Sequence, residues 1–169
     1  MLKQKGHEAD DVIASIVRNA SRPGQGNNHH TIVSADHDLY QLLRPTCQMW
    51  NPNSAGKGMM TAGKFHAEYG ISPREWPTVK AMAGCSSDEV PGIKGVGEKT
   101  AIRFLNHELP ASHKTYARIK GNAATRLVEA NMALVRLPFR GTKRWSLSIG
   151  TPRRQEWRPI LRELGIKSL

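Results

Sequence analysis

Residues 31–43 read TIVSADHDLYQLL. Thr31, Ile32 and Val33 are β-branched, which favours an extended backbone, and so short an apolar run predicts a buried strand. Asp36 follows directly on that run. It is therefore expected at the carboxyl end of the strand, where α/β sheets present their ligands. Residues 38–43 take a short helical spacing. Upstream, Val12, Ile13, Ile16 and Val17 fall on one face of a helix predicted over 8–20. The intervening 21–30 (SRPGQGNNHH) is a Pro-, Gly- and Asn-rich loop.

Working downstream, 47–50 predicts a second strand, 51–58 a turn, and Met59 the start of a third short strand. The pattern then turns helical, with helices expected over 61–69, 73–83, 98–106, 112–119 and 123–135. Pro73 sits near the first turn of the second of these, where its missing N–H costs nothing. A late strand is expected over 145–149 and a last helix over 153–164, ended by Gly165. No internal repeat or low-complexity tract interrupts this order. The fold class is α/β, with an α/β part over 1–84 and a mostly α part over 85–169.

Charge divides along the same line. Residues 1–89 hold nine Lys/Arg and nine Asp/Glu, whereas 90–169 hold sixteen and five, which supplies the whole net charge of +11. A basic half beside a neutral half suits a polyanion surface next to a different site, although a merely solvated basic face has the same composition. Hydrophobic residues at 38% and charged residues at 23% are those of a folded protein. No apolar run is long enough to span a membrane. Cys47 and Cys85 stand apart, which argues against a disulfide framework or zinc cluster and for a reducing, cytoplasmic setting. The histidines show no zinc-ligand spacing. Trp50, Trp76, Trp145 and Trp157 read as core or edge residues.

Six acids of the neutral half form three clusters: Glu8, Asp10 and Asp11 in HEADD, Asp36 and Asp38 in SADHD, and Asp88 in CSSDE. Clustered carboxylates repel unless a cation neutralises them, and hard divalent cations such as Mg²⁺ prefer carboxylate oxygens. Any one cluster could be no more than a helix cap or an acid at a helix N-terminus. The three together, on a chain with a basic half, favour metal. VPGIKGVGEKTA (90–101) places Gly92, Gly95 and Gly97 ahead of a helix carrying Lys99. Glycines permit tight turns and close backbone approach, and the helix start offers free N–H groups to a phosphate.

GHEADDVIAS, SADHDLYQLL and DEVPGIKGVGEKTA resemble successive motifs of the flap endonuclease/5′–3′ exonuclease family, in order and roughly in spacing. LVRLPF and the closing ELGIKSL also look like family features. The resemblance implies a PIN-like nuclease core, here incomplete, followed by a helix–three-turn–helix (helix–hairpin–helix) DNA-binding module. It implies two Mg²⁺ ions, with Mn²⁺ as the alternative. Glu8, Asp10, Asp11 and Asp36 match the first metal site and its surroundings, and Asp38 and Asp88 the second. Catalysis falls to Asp36, Asp11 and Glu8. Gly92, Lys94, Gly95, Gly97, Lys99, Thr100 and Arg103 match the DNA-gripping region, and the backbone of Ile93–Val96 a place for K⁺.

Two departures qualify this. Cys85 stands where the family usually has an acid; it reads as a small buried residue or as a ligand for a softer metal. The family also carries, before the position of Glu8, a segment with further acids and a central strand. Without that strand, 31–34 would show an apolar face or an unpaired edge. The implied activity is 5′–3′ exonucleolytic or flap-endonucleolytic cleavage of DNA, complete with a missing or separately encoded N-terminal part. A non-catalytic, structure-selective DNA-binding protein and a PIN-like RNase are the alternatives.

Overall fold

The structure is a computed structural model that describes residues 2–20, 29–53, 58–85 and 88–147. The expected loop over 21–30 falls largely, and the helix over 153–164 wholly, outside them. Helix α1 (Ala9–Ala20) leads into strand β1 (His30–Val33) and a 3-10 turn (His37–Leu42). Strands β2 (Cys47–Trp50) and β3 (Met59–Met60) follow. β1 pairs parallel with β2, Ile32 opposite Met49, and β2 pairs antiparallel with β3. Ile32 and Met49 are buried, whereas Val33 is 62% exposed. β1 is thus an edge strand whose outer side has no strand partner among the described residues, as the sequence anticipates.

Helix α2 (Ala62–Tyr69) is capped by Thr61, whose hydroxyl accepts the Lys64 N–H at 3.2 Å. The single helix expected over 73–83 is instead two pieces. Ser72 and Glu75 form a capping box around a 3-10 turn at Pro73–Glu75, and α3 runs from Trp76 to Ala83. Pro77 explains the break. It has no N–H to return to the Pro73 carbonyl, which takes the Trp76 N–H in a tighter turn.

α4 (Glu98–Leu105), α5 (Tyr116–Lys120) and α6 (Asn122–Val135) complete the helical part. The helix expected over 112–119 shrinks to α5. Successive turns bonded from His113 to Pro110 and from Tyr116 to His113 occupy the residues before it. The late strand is also absent from 145–147. There the chain is strapped along α1: Ser15 Oγ donates to the Lys143 carbonyl and accepts the Trp145 N–H, and Asn19 donates to the Trp145 carbonyl. Backbone groups satisfied by side chains of a helix are not offered to a sheet.

One hydrophobic cluster runs from Ala14 in α1 to Ala124 in α6. At its centre Phe65 and Trp76 meet edge to face, 5.6 Å between centroids, with Tyr40 beside both. α3 is the hub, packed on α4, α6 and the 3-10 turn after β1. Asn131 of α6 is 2% exposed and donates to the carbonyls of Ala81 and Pro91. It ties α6 to both the end of α3 and the loop beyond. Asn131→Ala strips both carbonyls of this donor in a buried place and is expected to cost about 2 kcal/mol. A urea midpoint unchanged from the parent would contradict that role.

Candidate functional site

The acids of α1 are set by the way the helix starts. Asp11 lies three residues past Glu8 and reaches back, its Oδ2 accepting the Glu8 N–H at 3.1 Å, as an acid does at the third position of a capping box. Its Oδ1 accepts the Phe139 N–H at 2.6 Å, and the residue is 5% exposed. Both oxygens of Asp11 therefore already fix backbone, joining the start of α1 to the chain after α6. Asp10 is turned differently and stays half-buried. Its carboxyl is pushed up to about 6, by burial first and then by the charges of Asp36, Glu8, Asp38 and Asp11. Four carboxylates within electrostatic reach of a fifth define the negative centre of the molecule.

Asp36 stands at the end of β1, as expected. It is exposed, and its Oδ1 accepts the Asp38 N–H at 2.9 Å, capping the 3-10 turn. Asp38 is paired: Lys80 Nζ lies 2.9 Å from its Oδ1 and 3.2 Å from Glu98 Oε1. Burial alone would lower the Lys80 ammonium, but its bonds and charge partners Asp38 and Glu98 outweigh this and raise it. Lys80 of α3 thus links the acidic centre to the first turn of α4.

A cavity of 320 Å³ is lined by Glu8, Asp10, Asp11, Asp38, Cys85 and Asp88, with Leu137 and Phe139 on its apolar side. Five of the six expected acids therefore share one space. Asp36 is not part of that lining and acts on it through Asp10. Among the described residues no three of His, Cys, Asp and Glu stand together as a ready metal-holding group. Asp11 has both oxygens on backbone N–H groups, and Asp38 is paired with Lys80. The donors nevertheless suit a hard divalent ion: they are carboxylate oxygens, and one of them, on Asp10, is half-buried and crowded by like charge that a cation would relieve. Cys85 is half-buried at the margin of the cavity, its backbone bridged to Val90.

The loop after α3 sorts the three glycines. Gly92 is packed against the Ala83 and Gly84 backbone, so its smallness is used inside the protein. Gly95 holds φ +80°, a left-handed turn. Gly97 faces open space and begins α4 without a side-chain cap. Ile93 and Val96 are buried, and the Ile93 carbonyl accepts the Val96 N–H. The Lys94 carbonyl accepts a donor from the Arg118 guanidinium, so a fixed cation already meets one of the carbonyls expected to face K⁺. Lys94 and Lys99 are exposed, as is Arg103, while Thr100 is half-buried. Lys80, Asn131, Ser15 and Arg118 were not singled out by sequence. None carries a local pattern; each acts through a partner distant in the chain.

The acid-lined cavity thus draws on the start of α1, the 3-10 turn after β1 and the segment just after α3. The chain belongs to the 5′–3′ exonuclease/flap endonuclease family. The family described as "5'-3' exonuclease, N-terminal resolvase-like domain" matches residues 1–70. Thermostable DNA polymerase I of Thermus thermophilus is 33% identical over 138 residues, which are 80% of this chain and 16% of the polymerase. That of Thermus aquaticus is 37% identical over 121 residues, 70% of this chain and 14% of the polymerase. The chain thus spans less than a fifth of these curated relatives. Among solved structures, phage T5 5′-exonuclease with bound divalent zinc superposes with a TM-score of 0.66 at 22% identity, over 81% of this chain and 52% of that one. T5 flap endonuclease in a pseudo-enzyme–product complex with DNA and metal ions gives 0.64 at 20%, over 79% and 51%. At these identities the likeness is one of fold.

Proposed function

We propose that this chain carries the metal- and DNA-engaging part of a divalent-metal-dependent 5′–3′ exonuclease/flap endonuclease that hydrolyses DNA phosphodiesters, complete with an N-terminal segment in the same or a separate chain. The observation that carries this reading is the cavity shared by Glu8, Asp10, Asp11, Asp38 and Asp88, with Asp36 at the strand end beside it. Two Mg²⁺ ions, or Mn²⁺ in their place, would lower the pKa of a bound water and supply positive charge to the phosphoryl oxygens. Glu8, Asp10, Asp36, Asp38 and Asp88 would hold them through carboxylate oxygens. Asp11 keeps α1 and the Phe139 backbone in register around that set. In this division of labour residues 1–84, joined by Asp88, supply the chemistry, and 85–169 the grip on DNA, through a helix–hairpin–helix module that includes the glycine loop and α4. Gly95, Gly97, Lys94, Lys99, Thr100 and Arg103 hold the sugar–phosphate backbone without reading bases. A cytoplasmic setting fits two cysteines that form no disulfide.

The test is cleavage of 5′-flap DNA by the chain, alone and with a family N-terminal segment supplied in trans. Mg²⁺-dependent product is expected in the second case, abolished by EDTA and by Asp36→Asn. Lys99→Ala is expected to weaken DNA binding and to reduce the slope of log affinity against log salt by about 1. Salt-sensitive DNA binding with no cleavage under either condition would make the chain a DNA-binding protein instead.

A further inference from the structure

A second cavity, of 360 Å³, has Leu137 in common with the acidic one and is otherwise lined by different residues. Four arginines line it, each from a different place in the fold. Arg18 comes from the last turn of α1 and Arg44 from just after the 3-10 turn that follows β1. Arg74 comes from the turn before α3, and Arg136 from the end of α6. No carboxylate lines this space. The two ion pairs among the described residues are both made by Lys80, elsewhere. Gln41, which also lines it, donates to the Asp38 and Val135 carbonyls and accepts the Leu137 N–H. Its amide is therefore committed to holding the wall between the two cavities.

Arg44 is half-buried, and its Nε donates to the Leu42 carbonyl at 3.3 Å, which fixes the plane of its guanidinium. The other three reach in from exposed positions. Burial first, then the neighbouring guanidiniums of Arg136 and Arg44, lowers the pKa of Arg18. Arg44 is lowered in the same way, by burial foremost, with Arg74 adding to it and the Cys47 sulfur opposing. The Cys47 thiol is itself pushed up to about 11 by burial, so at neutral pH it offers no anion. Four cations brought together from distant parts of the chain, with no acid in the wall, repel one another until an anion enters. Guanidiniums present planar forks of donors that match phosphate oxygens in pairs.

We propose that this arginine cavity is a phosphate-binding site, separate from the acidic centre. It takes a phosphate group carried either by a small molecule or by a nucleic-acid strand. The inference is independent of the nuclease reading, because phosphate binding here needs neither the metal ions nor the acids.

The full chain is titrated with inorganic phosphate in EDTA, by calorimetry and by the NMR signals of the arginine Nε–Hε groups. Saturable binding that shifts Arg44 is expected. Arg44→Gln and Arg136→Gln should each weaken it about tenfold, and the double variant should abolish saturation. Lys114→Ala, outside the cavity, should leave it unchanged. Circular dichroism establishes that each variant is folded, and Gln keeps a polar, uncharged side chain in the cavity wall. A short 5′-phosphorylated oligonucleotide distinguishes the source. Displacement of phosphate by it, with loss of DNA affinity in Arg44→Gln, assigns the site to strand phosphates. Phosphate binding without that competition assigns it to a small molecule. Absence of saturable binding, or equal binding by the folded double variant, would overturn the proposal.

Discussion

Asp10→Asn is expected to make the metal-free protein more stable at neutral pH, although it removes an acid from the first turn of α1, where acids ordinarily help a helix. The reason is the environment of that carboxyl. Burial and four neighbouring carboxylates raise its pKa from 3.8 to about 6, so on balance the folded state disfavours the charge despite the helix dipole. A folded state that holds a proton more tightly than the unfolded chain is favoured most at low pH. The contribution is complete below pH 3.8 and is lost as pH rises through about 6. Asn carries no such proton. Parent and variant should therefore match below the lower limit and diverge across the window. Above it they should differ by about 1 kcal/mol, the linkage value being reduced by solvent screening of a half-exposed group. Urea denaturation in EDTA at a series of pH values measures this.

Millimolar Mg²⁺ should then reverse the order. On the proposed function the ion would neutralise the crowded carboxylates of the parent, and binding to the folded state would add stability by mass action, about 2.7 kcal/mol at a hundred times the Kd. Asp10→Asn loses a charged oxygen from the set and should gain much less. Because proton and metal compete for the same oxygens, the parent's gain should shrink as pH falls through the titration of Asp10. Identical pH–stability curves for the two proteins in EDTA would show that the acids around the cavity do not sense one another.

What the sequence made legible was whatever is written locally. A β-branched run followed by acids placed β1 and Asp36 at its carboxyl end. Helical spacing of apolar residues placed α1 and α6, and the glycines placed a loop before α4. Distant partners were hidden. Nothing around Asp11 says that Phe139 takes one of its oxygens, and nothing around Lys80 says that it sits between Asp38 and Glu98. The same is true of Ser15 and Asn19, which hold the 143–145 segment out of any sheet. The arginine cavity is the fullest case. Its four members lie in separate stretches and read singly as surface charge, so only the fold gathers them. Pro77 was visible but under-read. Its lost N–H acts four residues upstream, at a carbonyl that a helical wheel does not show.

The glycines of the loop before α4 look alike in the sequence, and substitution should separate them. Gly92→Ala is expected to destabilise the protein by about 3 kcal/mol. A Cβ there would overlap the Ala83 carbonyl oxygen and lie 2.5 Å from the Ala83 carbon and 2.9 Å from Gly84 N. These are backbone atoms at the end of α3, so no rotamer change relieves the overlap. Gly84 cannot yield either: it holds φ +75°, and its own side-chain direction points at Val90 O and the Gly92 backbone. The loop would have to lift from α3. That motion breaks the Ile93 N–H to Met82 carbonyl bond and draws the Pro91 carbonyl away from Asn131. Ile93 and Val96, each 5% exposed, would leave the core with it. Gly97→Ala is the contrast. Its φ is −101°, a side chain there meets nothing within 4 Å, and the substitution should leave the unfolding free energy within about 0.5 kcal/mol of the parent. On the proposed function its effect should fall on DNA affinity, because it puts a methyl group at the start of α4, where that proposal brings the strand backbone. Glycines kept only to let DNA close in would give two stable variants with weak binding. Packing at Gly92 predicts one unstable protein and one stable protein with weak binding, and equal stability of the two would refute it.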